Sequence, residues 1–236
     1  MQQSEKQEKV QRVFARIARR YDLMNSLMTF GMHRRWRRQT LRAAGMQAGA
    51  VALDIGCGSG DYIELLLQAG ASHVIGVDFT KEMLDLAAKR FTKEIAAGRV
   101  VLLQADAAQM SIIEDGSVDI VTAGFALRNF ADLPKALAEA SRVLKPGGKL
   151  VSLDLAKPFP PAIGWAARIY LDWVVPSIAA VVSGASAEYR WLSDSLAQFT
   201  ERGELTKMML ASGFTSVRVI PYGIGVLASH IALKAS

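Results

Sequence analysis

From residue 50 onward the chain alternates short apolar runs with longer amphipathic stretches. The runs at residues 51–55, 73–78, 99–105, 118–124 and 149–155 have the length and composition of strands. Between them lie helical patterns at about residues 60–70, 80–97 and 132–144. Strands alternating with helices of this length predict a mostly parallel sheet covered on both faces. Residues 139–144 run into Lys145-Pro146-Gly147-Gly148, which predicts a helix stop followed by a turn. Near the end, residues 216–222 and 226–233 are separated by Gly223 and Gly225 and predict an antiparallel hairpin. The expected sheet therefore has seven strands.

Two segments break this rhythm. At the start, Val10, Val13, Phe14, Ile17 and Tyr21 recur at helical spacing among Lys9, Arg12, Arg16, Arg19 and Arg20, and a second helical stretch runs from His33 to Ala44. Residues 1–48 are thus expected to form a helical lid. Later, Pro158, Pro160 and Pro161 open an apolar stretch at 162–182. It contains Arg168, Asp172 and Pro176, which makes it a poor bilayer span. Residues 156–192 are expected instead as a helical insertion, either a substrate cap or plain core helices, within one domain covering 1–236.

The 236 residues are 51% hydrophobic and hold one cysteine, Cys57, so neither disorder nor a disulfide scaffold fits. The first ten residues lack the apolar core of a secretory signal, and a reducing cytoplasm is the expected location. The net charge of +6 is concentrated in one place. Residues 1–42 hold eleven Lys or Arg against Glu5, Glu8 and Asp22, leaving the remainder slightly acidic. Such a segment suits an anionic membrane surface, a nucleic acid, an anionic cofactor, or simply a solvated helix face. His33, His73 and His230 have no metal-ligand spacing, so no metal site is expected.

Candidate chemistry begins at Asp54-Ile55-Gly56-Cys57-Gly58-Ser59-Gly60, which ends the first strand and opens a helix. Glycines there let the backbone turn sharply and approach a ligand. A dinucleotide site calls for G-x-G-x-x-G with phosphate at the helix start. Here the spacing is G-x-G-x-G with Asp54 two residues ahead, which resembles the S-adenosylmethionine (SAM) loop. SAM carries an ammonium and a sulfonium rather than phosphate, so a neighbouring acid makes physical sense. Asp78 closes the second strand, where a carboxylate can accept ribose hydroxyls. Asp106, in Ala105-Asp106-Ala107, closes the third and is placed to meet an adenine amine.

Longer blocks extend the resemblance. Residues 21–36, Tyr-Asp-Leu-Met-Asn-Ser-Leu-Met-Thr-Phe-Gly-Met-His-Arg-Arg-Trp, together with Gly124-Phe125-Ala126-Leu127-Arg128-Asn129 and the run from Arg142 to Asp154, resemble the ubiquinone/menaquinone biosynthesis C-methyltransferases. The resemblance covers nearly the whole chain and implies a Rossmann-like class I methyltransferase fold. It implies SAM contacts at Ser59, Asp78, Asp106 and Ala107. The wider class I likeness adds Asp54, Gly56 and Gly58. Tyr21, Asp22, Asn25, His33, Arg128 and Asn129 become candidates to line the acceptor pocket, with Arg128, Asn129, Tyr21 and His33 as the catalytic set. The implied reaction is methylation of a prenylated quinol carbon, demethylmenaquinol or a ubiquinol precursor, with Arg128 stabilising the developing phenolate. His33, Asp22 or an ordered water remain open as the base. A small soluble phenol, amine or secondary metabolite is the alternative acceptor. A nucleic-acid substrate is disfavoured because no RNA-binding module is recognisable, and a non-enzymatic SAM-binding regulator because both signature blocks are intact. The expected partners are a lipophilic quinol and, peripherally, the inner face of an anionic membrane. A homo-oligomer remains open.

Overall fold

A computed structural model describes residues 3–156, 173–174, 177–178, 200–223 and 226–236. The expected insertion at 156–192, with its apolar stretch 162–182, therefore lies almost wholly outside the described residues. Two helices come first, α1 (Gln3–Met28) and α2 (Met32–Ala44). Then follow β1 (Val51–Ile55), α3 (Asp61–Gln68), β2 (His73–Asp78), α4 (Lys81–Arg90), α5 (Thr92–Ala96), β3 (Val100–Gln104), β4 (Val118–Gly124) and α6 (Leu133–Val143). The chain ends with β5 (Leu144–Leu155), α7 (Arg202–Ala211), β6 (Phe214–Tyr222) and β7 (Leu227–Lys234). The seven strands form one sheet in the order β3-β2-β1-β4-β5-β7-β6. The first five pair in parallel, whereas β7 runs antiparallel to both β5 and β6.

Alternation along the strands divides the core between the two faces, as a sheet covered on both sides requires. Ala52, Ile120 and Val151 pack with Leu41, Ile63, Leu66 and Ala87 from α2, α3 and α4. Leu53, Ile55, Val121 and Ala123 pack on the other face with Leu137, Leu205 and Met209 from α6 and α7. A third cluster joins Val10, Phe14, Ile17 and Met24 of α1 to Met83 of α4. It holds α1 over the carboxyl ends of the central strands. No helix among the described residues is long and apolar enough to cross a membrane.

Two local expectations are corrected. Lys145-Pro146-Gly147-Gly148 is not a turn outside the sheet: β5 already begins at Leu144, paired with Val118. A register shift between Val118 and Ile120, with Gly147 at φ +73°, absorbs the irregular residues within the strand. The helix expected over 80–97 is two helices, broken at Phe91. That residue is buried and turns its ring beneath the glycine loop, so tertiary packing overrides the helical pattern.

Candidate functional site

The floor of the site is built where β1, β2 and β4 end, the position at which open parallel sheets bind ligands. Asp54, in β1, is buried and accepts a 2.6 Å hydrogen bond from the Thr122 hydroxyl of β4. Burial pushes its carboxyl up to about 7, against the pull of that bond. The loop that follows turns through Gly56 at φ +63° and Gly60 at φ +92°. A Cβ on Gly56 would come within 2.7 Å of the Ala126 Cβ, and one on Gly60 within 2.3 Å of the Phe91 ring. These glycines are thus fixed by close packing as well as by their backbone angles. Asp78, closing β2, accepts from the Gly58 N–H at 2.9 Å and the Thr80 N–H at 2.9 Å. Burial raises its pKa while these donors oppose the shift. Each of its oxygens retains acceptor capacity for a further donor, such as a sugar hydroxyl.

Above the floor, α1 closes the cleft. Val10, Phe14 and Tyr21 line it together with Gly56, Gly58, Asp78, Phe125, Asn129 and Phe130. Among the described residues, polar side-chain contacts tie this lid to the floor. The Ser59 hydroxyl donates to Asp22 at 2.6 Å, Gln7 Nε2 donates to Asp106 at 3.0 Å, and Lys6 Nζ donates to the Phe130 carbonyl at 2.6 Å. The enclosed space is about 40 Å³. A drug-sized ligand takes roughly 300 Å³ or more, so binding one between loop and helix requires α1 to move outward. Asp106, which also accepts from the Ala108 N–H at 2.8 Å, lines an adjoining groove of about 440 Å³ with Gln7, Gln11, Phe79 and Gln104. A larger groove of about 550 Å³ lies at the amino ends of the strands among residues 44–50 and 145–149, away from these carboxylates.

The turn after β4 is the most constrained part of the site. Phe125 adopts φ +59°, a region that a bulky side chain enters only when its surroundings force it. Two buried guanidiniums lie beside its ring, Arg37 at 4.8 Å and Arg128 at 6.0 Å from the centroid. Arg128 is anchored by an ion pair with Asp154 of β5 and by a 2.9 Å bond to the Phe125 carbonyl. Arg37, from α2, lies 2.9 Å from Asp61 at the start of α3, and Arg90 reaches the same carboxylate at 3.2 Å. Burial raises the Asp61 pKa, but Arg37, His33 and Arg90 outweigh it and the net shift is downward.

The sequence-expected residues separate into three groups. Tyr21, Gly56, Gly58, Asp78 and Asn129 line the cleft, with Asp54, Ser59, Asp22, Arg128 and Asn25 on the elements beside it. Asp106 stands in the adjoining groove. Ala107 is buried in the core with its methyl, so only its backbone is available to a ligand. His33 is buried at the start of α2 and is absent from the cleft lining. Thr29 Oγ1 donates to the Asn25 carbonyl at 2.6 Å and sits within hydrogen-bond distance, 2.9 Å, of His33 Nδ1. Its Nε2 faces Asp61 at 3.8 Å, and burial, reinforced by Arg37, lowers its pKa. Burial likewise raises the Tyr21 phenol.

Sequence reasoning missed Arg37, Asp61, Thr122 and Asp154, each of which acts through a long-range pairing. It also missed a feature only side-chain geometry reveals. Asn25 Nδ2, Arg37 Nε, Arg128 Nε and Asn129 Oδ1 are buried without a hydrogen-bond partner among the described residues. All four belong to the lid or to the turn after β4. Tyr62, Ser152 and Ser229 hold further such atoms outside both, and these four offer polar capacity to a ligand or to water.

The acceptor set fits SAM: one carboxylate at the end of β2, a second beneath the glycine loop, and a third beyond β3. Comparison with known proteins bears on the same point. The model of the ubiE/COQ5 methyltransferase family matches residues 1–234. A demethylmenaquinone methyltransferase of Oceanobacillus iheyensis is 37% identical over 99% of this chain and 98% of its own. One from Staphylococcus aureus (strain Newman) is 36% identical over 96% of this chain and 93% of its own. Among solved structures, a SAM-dependent methyltransferase from Thermotoga maritima superposes with a TM-score of 0.66 at 20% identity, covering 94% of this chain and 99% of its own. Another from Aquifex aeolicus gives a TM-score of 0.59 at 21% identity, covering 84% of this chain and 88% of its own.

Proposed function

Because the chain belongs to the ubiE/COQ5 methyltransferase family, we propose that it methylates a ring carbon of demethylmenaquinol, the reduced, prenylated naphthoquinol. SAM is the cofactor, and when bound it supplies an electrophilic methyl on sulfur. The observation that carries the reading is the meeting of two sequence blocks. Residues 21–25 of α1 and 125–129 after β4 come together over the glycine loop, and both carry the unpartnered buried polar atoms.

The chain's own residues have distinct tasks in this reading. Asp78 accepts the ribose hydroxyls, held in place by the Gly58 and Thr80 N–H groups. Asp54, bonded to Thr122, fixes the end of β1 and hence the loop. Asp106 takes an exocyclic amine once Gln7 moves aside. Arg37 and Arg128 both place positive charge beside Phe125, which favours the phenolate that makes the adjacent ring carbon nucleophilic. Neither acts as a base, because a guanidinium stays protonated at working pH. Tyr21, Asn25 and Asn129 orient the ring hydroxyls, and the apolar lid residues Val10 and Phe14 exclude water. His33 acts by position: buried between Thr29 and Asp61 and outside the cleft lining, it holds the start of α2 against α3. The enzyme works in the cytoplasm, at the inner face of the membrane that carries its acceptor.

The test is direct. The protein is incubated with methyl-labelled SAM and demethylmenaquinone reduced to the quinol by dithionite, and the product is examined by mass spectrometry. Label on a ring carbon is the expected result. Label on oxygen, or transfer only to a water-soluble phenol, overturns the acceptor assignment.

A further inference from the structure

The outward side of the helical pair differs from the rest of the surface. At its tip, Leu23, Leu27, Phe30 and Met32 are exposed, Phe30 by 83%. Leu23 and Leu27 stand four residues apart, on one stripe of α1, while Met24 between them is fully buried. Phe30 sits in the turn between the helices at φ +50°, a conformation that disfavours a bulky side chain. Its ring gains almost no burial within the protein in return. Next to the tip, α2 presents Arg34, Arg35, Arg38 and Arg42 to solvent and contains no acidic residue. None of these four side chains makes a hydrogen bond or ion pair among the described residues. The buried side of the same helix carries Trp36, Thr40, Leu41 and Ala44.

We propose that this tip docks on an anionic lipid surface, with Phe30, Leu27, Leu23 and Met32 entering the headgroup boundary and the four arginines pairing with lipid phosphates. Charge complementarity and the apolar tip together select this occupant. A polyanion such as RNA uses the arginines but leaves three aliphatic side chains without a role, whereas an interfacial helix needs apolar residues and a basic face side by side. The geometry also serves the reaction. Asp22, which reaches the glycine loop through Ser59, and half-buried Asn25 adjoin the cleft from the last turns of α1, and Leu23 and Leu27 are exposed on those same turns. Docking therefore brings the mouth of the cleft to the surface from which a prenylated acceptor would enter. In that respect the inference rests on the quinol reading, but vesicle binding is measured without any methyl transfer.

Flotation with vesicles of 30% phosphatidylglycerol in phosphatidylcholine, and of phosphatidylcholine alone, is the experiment. The full chain should bind the anionic vesicles and lose most of that binding at high salt. Phe30→Ser should lower the partition coefficient at least roughly tenfold, the scale of one buried aromatic side chain. Arg34→Glu combined with Arg35→Glu and Arg38→Glu should lower it more than about a hundredfold, at roughly fivefold per arginine. Both variants should keep their melting temperature and their turnover on detergent-solubilised demethylmenaquinol. Vesicle binding unchanged in Phe30→Ser, or absent from the parent chain, overturns the proposal. Equal retention on tRNA, insensitive to Phe30→Ser, points instead to nucleic acid. Lost vesicle binding with intact turnover leaves the acceptor assignment standing, so the two readings fail separately.

Discussion

On the floor of the cleft, the carboxylates are met by donors from the floor itself. Asp54 has Thr122, Asp78 has two backbone N–H groups, and Arg128 is matched by Asp154. The lid is held differently. Its apolar stripe packs on Met83, and three polar contacts from Lys6, Gln7 and Asp22 reach down to the floor. Two of those three contacts are to Ser59 and Asp106, groups that the resemblance assigns to the cofactor. The floor is thus set before any ligand arrives, while the lid must exchange its own contacts for those of the ligand. Preorganised positioning belongs to the first region and access to the second.

The sharpest way to break this distinction is Asp154→Ala. It leaves the Arg128 charge buried and unpaired, which costs about 3–5 kcal/mol. Urea unfolding should show that loss, and a change below about 1 kcal/mol would mean the floor does not depend on its own ion pair. Next in size is pH. Asp54 titrates near 7 in the folded chain, above its unfolded value of about 4. The stability tied to its proton is therefore complete below pH 4 and is lost as pH rises through 7. Three units correspond to about 4 kcal/mol. Asp54→Asn should remove this decline, and an unchanged pH profile of unfolding would place Asp54 elsewhere.

Arg128→Ala should reduce turnover about 100- to 1000-fold while leaving SAM affinity near normal. Single-turnover kinetics with calorimetry separate the two effects. Lost SAM binding alongside a lower melting temperature would make Arg128 purely a support for its turn. The smallest effect belongs to the lid. A double-mutant cycle on Asp22→Ala and Ser59→Ala should give a coupling of about 0.5–1 kcal/mol, since Asp22 is exposed to solvent. A coupling several times larger would make the lid as rigid as the floor.

How much of this was legible in the sequence follows the same division. Strand alternation and turn glycines are local signals, so β1, β2, β4 and the closing hairpin fall where the pattern puts them. The start of β5 was hidden because Pro146, Gly147 and Gly148 read as a turn, yet the sheet accommodates them through a register shift. Carboxylates at strand ends were visible for the same local reason. Their partners were not: Thr122 lies 68 positions from Asp54, and Asp154 lies 26 from Arg128. Arg37 was one arginine in a basic run until α2 turned it inward against Phe125, whereas Arg34, Arg35 and Arg38 stayed outside. Charge counting cannot distinguish these roles. Helix phase against the core does.

The account stands most directly on the cofactor's seat at the end of β2, and calorimetry of SAM binding to Asp78→Ala measures it. A charge-assisted bond to a ribose hydroxyl is worth roughly 1.5–3 kcal/mol. The account predicts affinity at least about tenfold weaker in a variant that still folds. Unchanged affinity in a folded Asp78→Ala protein would contradict it.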